Sequence, residues 1–208
     1  MRDKNTLWAT RVQLHLPVVP LLLCLPLCLL LAACASPTPP PQLYQLRAAP
    51  PVPVVPVASQ QVLQLLQPVA LPELLEREAL LVPQGQAGVQ ALTGHRWAEP
   101  LRDAVPRLLR QDLAALLGES RVWSAPLPSG VTATRQLRVE IAAFEADTDR
   151  NAVRLQARWT VLDPRNPSAP HTEVTTLRVA STGSSIDSLV AGHRLALWRL
   201  AERIASTR

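Results

Sequence analysis

Leu137-Arg138-Val139-Glu140-Ile141-Ala142-Ala143 and Val153-Arg154-Leu155-Gln156-Ala157-Arg158-Trp159-Thr160-Val161 decide the fold. In the first stretch Leu137, Val139, Ile141 and Ala143 share one face. In the second Val153, Leu155, Ala157, Trp159 and Val161 do the same, against Arg154, Gln156, Arg158 and Thr160. A period of two places alternate side chains on opposite sides of an extended chain, so each stretch predicts a half-buried β-strand. Asp147-Thr148-Asp149-Arg150-Asn151 lies between them and predicts a hairpin. The apolar face of such a hairpin needs a second layer to cover it.

Downstream, Asp163-Pro164 opens a loop that runs to Pro170, and a third strand is predicted over 172–180. Its facing is open at this level: Val174 and Leu177 are an odd number of residues apart, so both point inward only across a bulge. Ser184 or Ser185 is placed to cap a closing helix. There Ile186, Leu189, Val190, His193, Leu197, Leu200 and Ile204 form one stripe, with Arg194, Arg199 and Glu202 expected to face away.

Upstream, the period turns helical after Glu99-Pro100. Leu101, Val105, Leu108, Leu109, Leu113, Leu116 and Leu117 form a broad apolar face, with Arg102, Asp103, Arg107, Arg110 and Asp112 expected elsewhere. Pro106 is near enough to the helix start for one helix to continue through it, and Gly118 supplies a C-terminal cap. Before this helix, short strands are predicted over 42–46, 61–67, 79–82 and 88–92, with a helical turn led by Pro72. Pro83-Gln84-Gly85-Gln86 has the composition of a turn. Prolines 50, 51, 53 and 56 exclude a regular central strand from the intervening segment. The expected fold is α+β: a two-layer sandwich of a largely antiparallel or mixed β-sheet with two amphipathic helices on one face.

The N-terminus carries a different signal. Arg2, Lys4 and Arg11 precede an apolar run over 12–31, which closes with Leu31-Ala32-Ala33-Cys34. Basic, apolar and small residues in that order are the pattern of a secretory signal. Cys24 and Cys28 follow leucines, too bulky for such a cleavage site. The other reading is an uncleaved anchor, since the run is about long enough to span a bilayer, though it contains Pro17, Pro20 and Pro26. The expected organisation is a signal over 1–33, Cys34 with a Pro-rich tether over 34–41, and one domain over 42–208. In polyproline II form the Pro-rich part over 36–41 rises about 3 Å per residue and would hold the domain at most about 20 Å off a membrane; disorder is the alternative for it.

Composition narrows the function. Three basic residues and one acidic residue lie in the signal, so the formal net charge of +5 falls by two on cleavage. Lys4 is the sole lysine, and the arginines that remain alternate with acids and alanines rather than clustering. With few aromatics for base stacking, nucleic acid is not an expected partner. If the chain is cleaved before Cys34 and Cys34 is modified, the mature chain has no thiol left for a disulfide, a nucleophile or a metal.

No nucleophile elbow, phosphate-binding loop or zinc-helix motif occurs. His95, His171 and His193 have no ligand spacing, and no metal or cofactor is expected. His193 lies on an apolar stripe, where a satisfied core or interface histidine is favoured over a catalytic one. Asp147 and Asp149 fall far short of a full calcium loop, so a solvated turn is favoured. Three residues remain as a candidate partner interface: Arg96, Trp97 and Trp198. Trp and Arg are common interface anchors. For Trp97 the structural reading, a staple onto Leu101, is favoured over anchoring, and Trp198 could belong to a broad core face.

Taken in order, Tyr44-Gln45-Leu46, Pro68-Val69-Ala70-Leu71-Pro72-Glu73-Leu74-Leu75-Glu76-Arg77, Arg96-Trp97-Ala98-Glu99-Pro100-Leu101 and Ala191-Gly192-His193-Arg194-Leu195-Ala196-Leu197 carry a family resemblance. The strand pair around Ile141-Ala142-Ala143-Phe144-Glu145-Ala146 adds to it. The chain resembles the ABC-type transport auxiliary lipoproteins, the PqiC-type subunits of MCE intermembrane lipid-transport systems. The link over 83–94 and the proline-rich insert over 50–56 depart from the family's pattern.

The resemblance implies acylation of Cys34 and a non-enzymatic docking subunit on the periplasmic face of the outer membrane, contributing to envelope integrity. Its partners would be an MCE-domain protein and an inner-membrane permease complex, with ATP hydrolysis in another subunit. Ala35 lacks the aspartate-type retention signal for the inner membrane. A homo-oligomer, such as a ring of these domains, is compatible. The alternative is an envelope assembly or scaffold lipoprotein outside lipid transport; an envelope hydrolase using His193 or the Asp147/Asp149 pair ranks last.

Overall fold

The computed structural model describes residues 39–207. The signal, Cys34 and most of the tether lie outside the described residues. Among the described residues eight strands and two α-helices make an α+β fold with two mixed sheets and no closed barrel. The strands are β1 (Gln42–Tyr44), β2 (Leu63–Leu65), β3 (Ala79–Gln84), β4 (Gly88–Trp97), β5 (Val122–Ser124), β6 (Arg135–Ala146), β7 (Ala152–Asp163) and β8 (Asn166–Ala180). The helices are α1 (Leu101–Leu117) and α2 (Ile186–Ser206), and a 3-10 turn at Glu73–Glu76 precedes β3.

The hairpin read first from the sequence is the centre of the larger sheet, ordered β5-β2-β6-β7-β8. β6, β7 and β8 pair antiparallel, while β2 is parallel to both β5 and β6. On β7, Val153, Leu155, Ala157 and Trp159 are buried, as their period requires. β6 keeps its expected face only through Ile141. A register shift between Ile141 and Ala143 places an extra residue on β6, so Phe144 and Ala146 turn inward in place of Ala143. The shift reverses the facing of everything after it, and it brings the chain's sole phenylalanine into the core.

β8 begins earlier than expected and pairs in step with β7 from His171 to Ala180. Leu177 is half-buried and Val174 is on the solvent side, so no bulge is needed in that stretch.

The smaller sheet is ordered β1-β4-β3, with β1 parallel and β3 antiparallel to β4. The expected single sheet is therefore two. β4 also runs past the expected end at Leu92 to Trp97. Ala79 pairs with Arg96 but Leu81 pairs with Ala91, so β4 carries extra residues there. Gly94, at φ +76°, absorbs the irregularity in a conformation open to glycine.

Both helices cover the inward face of the larger sheet, since that face is buried while the alternate residues of β6 and β7 are largely open to solvent. α1 carries Pro106 without interruption and ends at Gly118, whose N–H donates to the Ala114 carbonyl at 2.8 Å. At the start of α2 the Ser185 hydroxyl accepts from the Ser188 N–H. Gly192 lets α2 lie close to the sheet: a Cβ there would stand 3.1 Å from Val153 Cγ2. The core between the layers includes Trp159, Trp198, Phe144, Leu108 and Leu137, all fully buried. Each large apolar side chain removed from water contributes roughly 1.5–3 kcal/mol before ordering costs.

Candidate functional site

α2 brings two polar residues of adjacent sequence, His193 and Arg194, into the interior. They face different neighbours. His193 lies at a cavity of about 130 Å³ under the 3-10 turn, where β3 and β4 of the smaller sheet meet β6 of the larger. Leu75, Leu80, Val82, Trp97 and Phe144 help to line it. The ring centroids of Trp97 and Phe144 stand 5.7 and 4.9 Å from the His193 ring, both edge-on. His193 Nδ1 is 2.9 Å from the Leu189 carbonyl, one helical turn back. Burial holds its pKa down at about 4, the Leu189 hydrogen bond offsetting only part of that effect. The imidazole is neutral at neutral pH.

Arg194 faces α1. Its Nη2 donates to Asp112 Oδ1 at 2.6 Å and its Nη1 to Asp112 Oδ2 at 2.8 Å. Nε donates to the Arg47 carbonyl at 2.7 Å, and Nη2 also reaches the Ala48 carbonyl at 3.4 Å. One guanidinium thus joins both helices and the segment after β1. Burial pushes the Asp112 carboxyl above its ordinary pKa, outweighing the lowering by Arg194. A buried pair tolerates desolvation only when hydrogen bonds satisfy the remaining donors, and here the peptide carbonyls do so. Both residues had been expected to face away from the core, and both are inside it.

The three candidate interface residues separate. Trp97 is 8% exposed and closes β4, its N–H donating to the Glu78 carbonyl at 2.7 Å. Trp198 is 0% exposed, with its indole N–H donating to Glu202 at 2.8 Å. Both are buried rather than exposed anchors, each filling the core between helix and sheet. Arg96 is exposed, with a loose ion pair to Glu78 at 3.4 Å. Cys34 lies outside the described residues.

Asp147 is committed to its hairpin. Its Oδ1 accepts from the Asn151 and Ala152 N–H groups at 2.9 and 3.1 Å, and its Oδ2 from Arg178 at 2.6 Å. The sequence reading missed the Asp112–Arg194 pair, although a signal was present. Asp112 falls at helical spacing from Val105, Leu109 and Leu116, and Arg194 from Val190, Leu197 and Ala201. Opposite charges inside two apolar stripes are candidates for each other.

Two helices on two mixed sheets define an α+β domain. A family model described as ABC-type transport auxiliary lipoprotein component matches residues 44–205, and the chain belongs to that family. This is the family that the sequence resembles at its quoted segments.

Solved structures agree on the fold. A crystal structure of an uncharacterized protein is similar at 20% identity, with a TM-score of 0.61, covering 80% of this chain and 97% of that one. A second, protein XCC0632 from Xanthomonas campestris of the DUF330 family, is similar at 16% identity, with a TM-score of 0.60, covering 78% and 92%. Comparison with curated proteins found no match.

Proposed function

We propose that this protein is a lipid-anchored, non-enzymatic docking subunit of an MCE-type intermembrane lipid-transport system. It is held on the periplasmic face of the outer membrane through Cys34 and contributes to envelope integrity. The observation that carries this reading is the family match over residues 44–205 behind the lipoprotein-like Leu31-Ala32-Ala33-Cys34. In this reading the attachment is an acyl anchor at Cys34; among the described residues no helix is long and apolar enough to cross a membrane. Two or more acyl chains on that cysteine would hold the protein durably, where one would bind marginally.

Asp112 and Arg194 are spent on helix packing and Asp147 on a turn, which fits a domain that works by docking. Its partners in this reading are an MCE-domain protein and an inner-membrane permease complex, with ATP hydrolysis in another subunit.

Cys34→Ala tests the anchor. The variant is expected to leave the outer-membrane fraction and lose transport function, with the thermal stability of the domain unchanged. Its retention in the outer membrane would overturn the anchoring claim.

A further inference from the structure

The strap between β1 and β2 contains only alanine, proline and valine from Ala48 to Ala58. Both of its ends are fastened. Arg194 holds the Arg47 and Ala48 carbonyls at 2.7 and 3.4 Å, and the Val57 N–H donates to the Leu116 carbonyl at 2.8 Å, in the last turn of α1. The chain bends at Pro51 and Val52, then runs to β2 without a further bend, turn or helix. Proline fixes φ near about −65° and pushes the residue before it to extended backbone. Pro53 and Pro56 therefore set every residue from Val52 to Pro56 except Val54. An extended segment set in this way is a polyproline II helix, with about three residues per turn and no internal hydrogen bonds.

That period gives the segment three edges. Pro53 and Pro56 share one, and both are exposed. Val55, on the next, is 75% exposed, the most open of the large apolar side chains among the described residues. Val54, on the third, packs against the core, and Val57, which follows it there, is 36% exposed. Among the described residues nothing donates a hydrogen bond to the carbonyls from Pro53 to Pro56.

Those carbonyls choose the occupant. In the hydrocarbon of a lipid surface they would find no donor. A protein groove lined by tryptophan and tyrosine offers ring faces to the prolines and N–H or O–H donors to the carbonyls. Because the strap is already held extended, docking costs it little conformational freedom. Charge gives the groove a direction. Upstream, the Arg47 side chain is exposed and makes no ion pair among the described residues, so the matching groove carries a carboxylate at that end.

We propose that Pro53-Val54-Val55-Pro56 is a docking ridge for a partner protein whose groove is lined by aromatic side chains and ends in an acidic one. The ridge does not depend on which transport assembly the protein joins.

Full-length protein carrying Ala58→p-benzoylphenylalanine, one turn beyond Val55, would be irradiated in isolated envelope fragments and the cross-linked peptides sequenced. The expected product joins the strap to a partner peptide that contains tryptophan or tyrosine. A blocked peptide with the sequence of residues 47–58 should lower its yield at least tenfold, whereas a scrambled peptide of the same composition should not. Val55→Asp, at so exposed a position, should lower the yield at least tenfold with the thermal midpoint unchanged. Pro53→Ala/Pro56→Ala should lower it as far, and Arg47→Glu at least threefold. Should a variant not fold, the competing peptides on the protein with an unaltered ridge still decide. Cross-links to lipid alone, no cross-link, a yield indifferent to the competing peptide, or a yield kept by Val55→Asp would overturn the proposal. An unchanged yield with Arg47→Glu would overturn the acidic end of the groove.

Discussion

Arg194 on α2 and Asp112 on α1 meet in a two-pronged ion pair of 2.6 and 2.8 Å, with side chains only 5% and 1% exposed. The same guanidinium donates to the carbonyls of Arg47 and Ala48, so the two helices and the segment after β1 share one charged joint. Its surroundings are apolar, with the Trp198 ring centroid 6.0 Å from the Arg194 guanidinium carbon.

Removing one partner leaves the other charge buried without compensation. Asp112→Ala is expected to cost about 3–5 kcal/mol in urea unfolding. The double variant Asp112→Leu/Arg194→Met should recover most of that loss, because no unpaired charge remains. Full recovery is not expected, since the Arg47 and Ala48 carbonyls lose their donor. A double variant no more stable than Asp112→Ala would show that the pair contributes through more than neutralised charge.

His193 makes stability depend on pH with a definite sign. Its folded pKa, about 4, lies below the ordinary histidine value of 6.5. Between these values the unfolded chain binds more protons, so stability is present in full above pH 6.5 and falls as the pH drops toward 4. The loss over that window amounts to about 3 kcal/mol. Asp112, with its raised pKa, acts with the opposite sign as pH rises from 3.8. Comparing the protein with His193→Leu at each pH cancels that contribution: the difference in unfolding free energy should shrink from pH 7 to pH 4.5. A constant difference would contradict the assignment.

Gly118 ends α1 at φ +109° and ψ +136°, a region closed to residues with a Cβ. Gly118→Ala should lower stability by about 1–3 kcal/mol, read as a fall in the thermal midpoint. The nearest atoms to a Cβ built there are ordinary contacts at 3.6 Å or more from Arg121, so the effect measures backbone strain alone. An unchanged midpoint would mean that the chain rebuilds the helix end.

The tryptophan placements give a sharp contrast. Trp198→Ala, at a fully buried position, should cost about 3–5 kcal/mol. Arg96→Ala should change stability by less than about 0.5 kcal/mol, because its ion pair with Glu78 is exposed and loose. Urea unfolding of both variants checks the assignment, and equal effects would refute it.

Period and punctuation made much of this fold legible. The β6–β7 hairpin, both helices, the Gly118 cap and a serine cap at 184 or 185, which is Ser185, follow from residue spacing and from the chemistry of turns. What stayed hidden depends on partners distant in sequence. The shift at Ile141/Ala143 is a matter of pairing with β7, and alternation alone extends the first face to Ala143. The division into two sheets arises because β4 pairs with β3 across the turn at 83–86 and with β1, about fifty residues away in sequence, rather than with the larger sheet; only the first of these is encoded locally.

Trp97 and Trp198 were ambiguous for the same reason: an aromatic beside an apolar stripe reads alike as core margin or as anchor, and only the packing of α2 on the sheet settles burial. Asp112 and Arg194 are the instructive miss. Charged residues were assigned outward by type, although their helical positions lay on the inward stripes. His193 differs, since its place on the stripe foretold its burial, while the cavity beside it depends on the smaller sheet.

The central claim is that this domain serves as a membrane-held docking piece for an intermembrane lipid-transport system. Affinity purification of the full-length protein from cross-linked envelopes, read by quantitative mass spectrometry, tests it most directly. The account predicts enrichment of an MCE-domain protein together with its inner-membrane permease. Enrichment of β-barrel assembly or secretion components instead, with no MCE-domain protein, would contradict it.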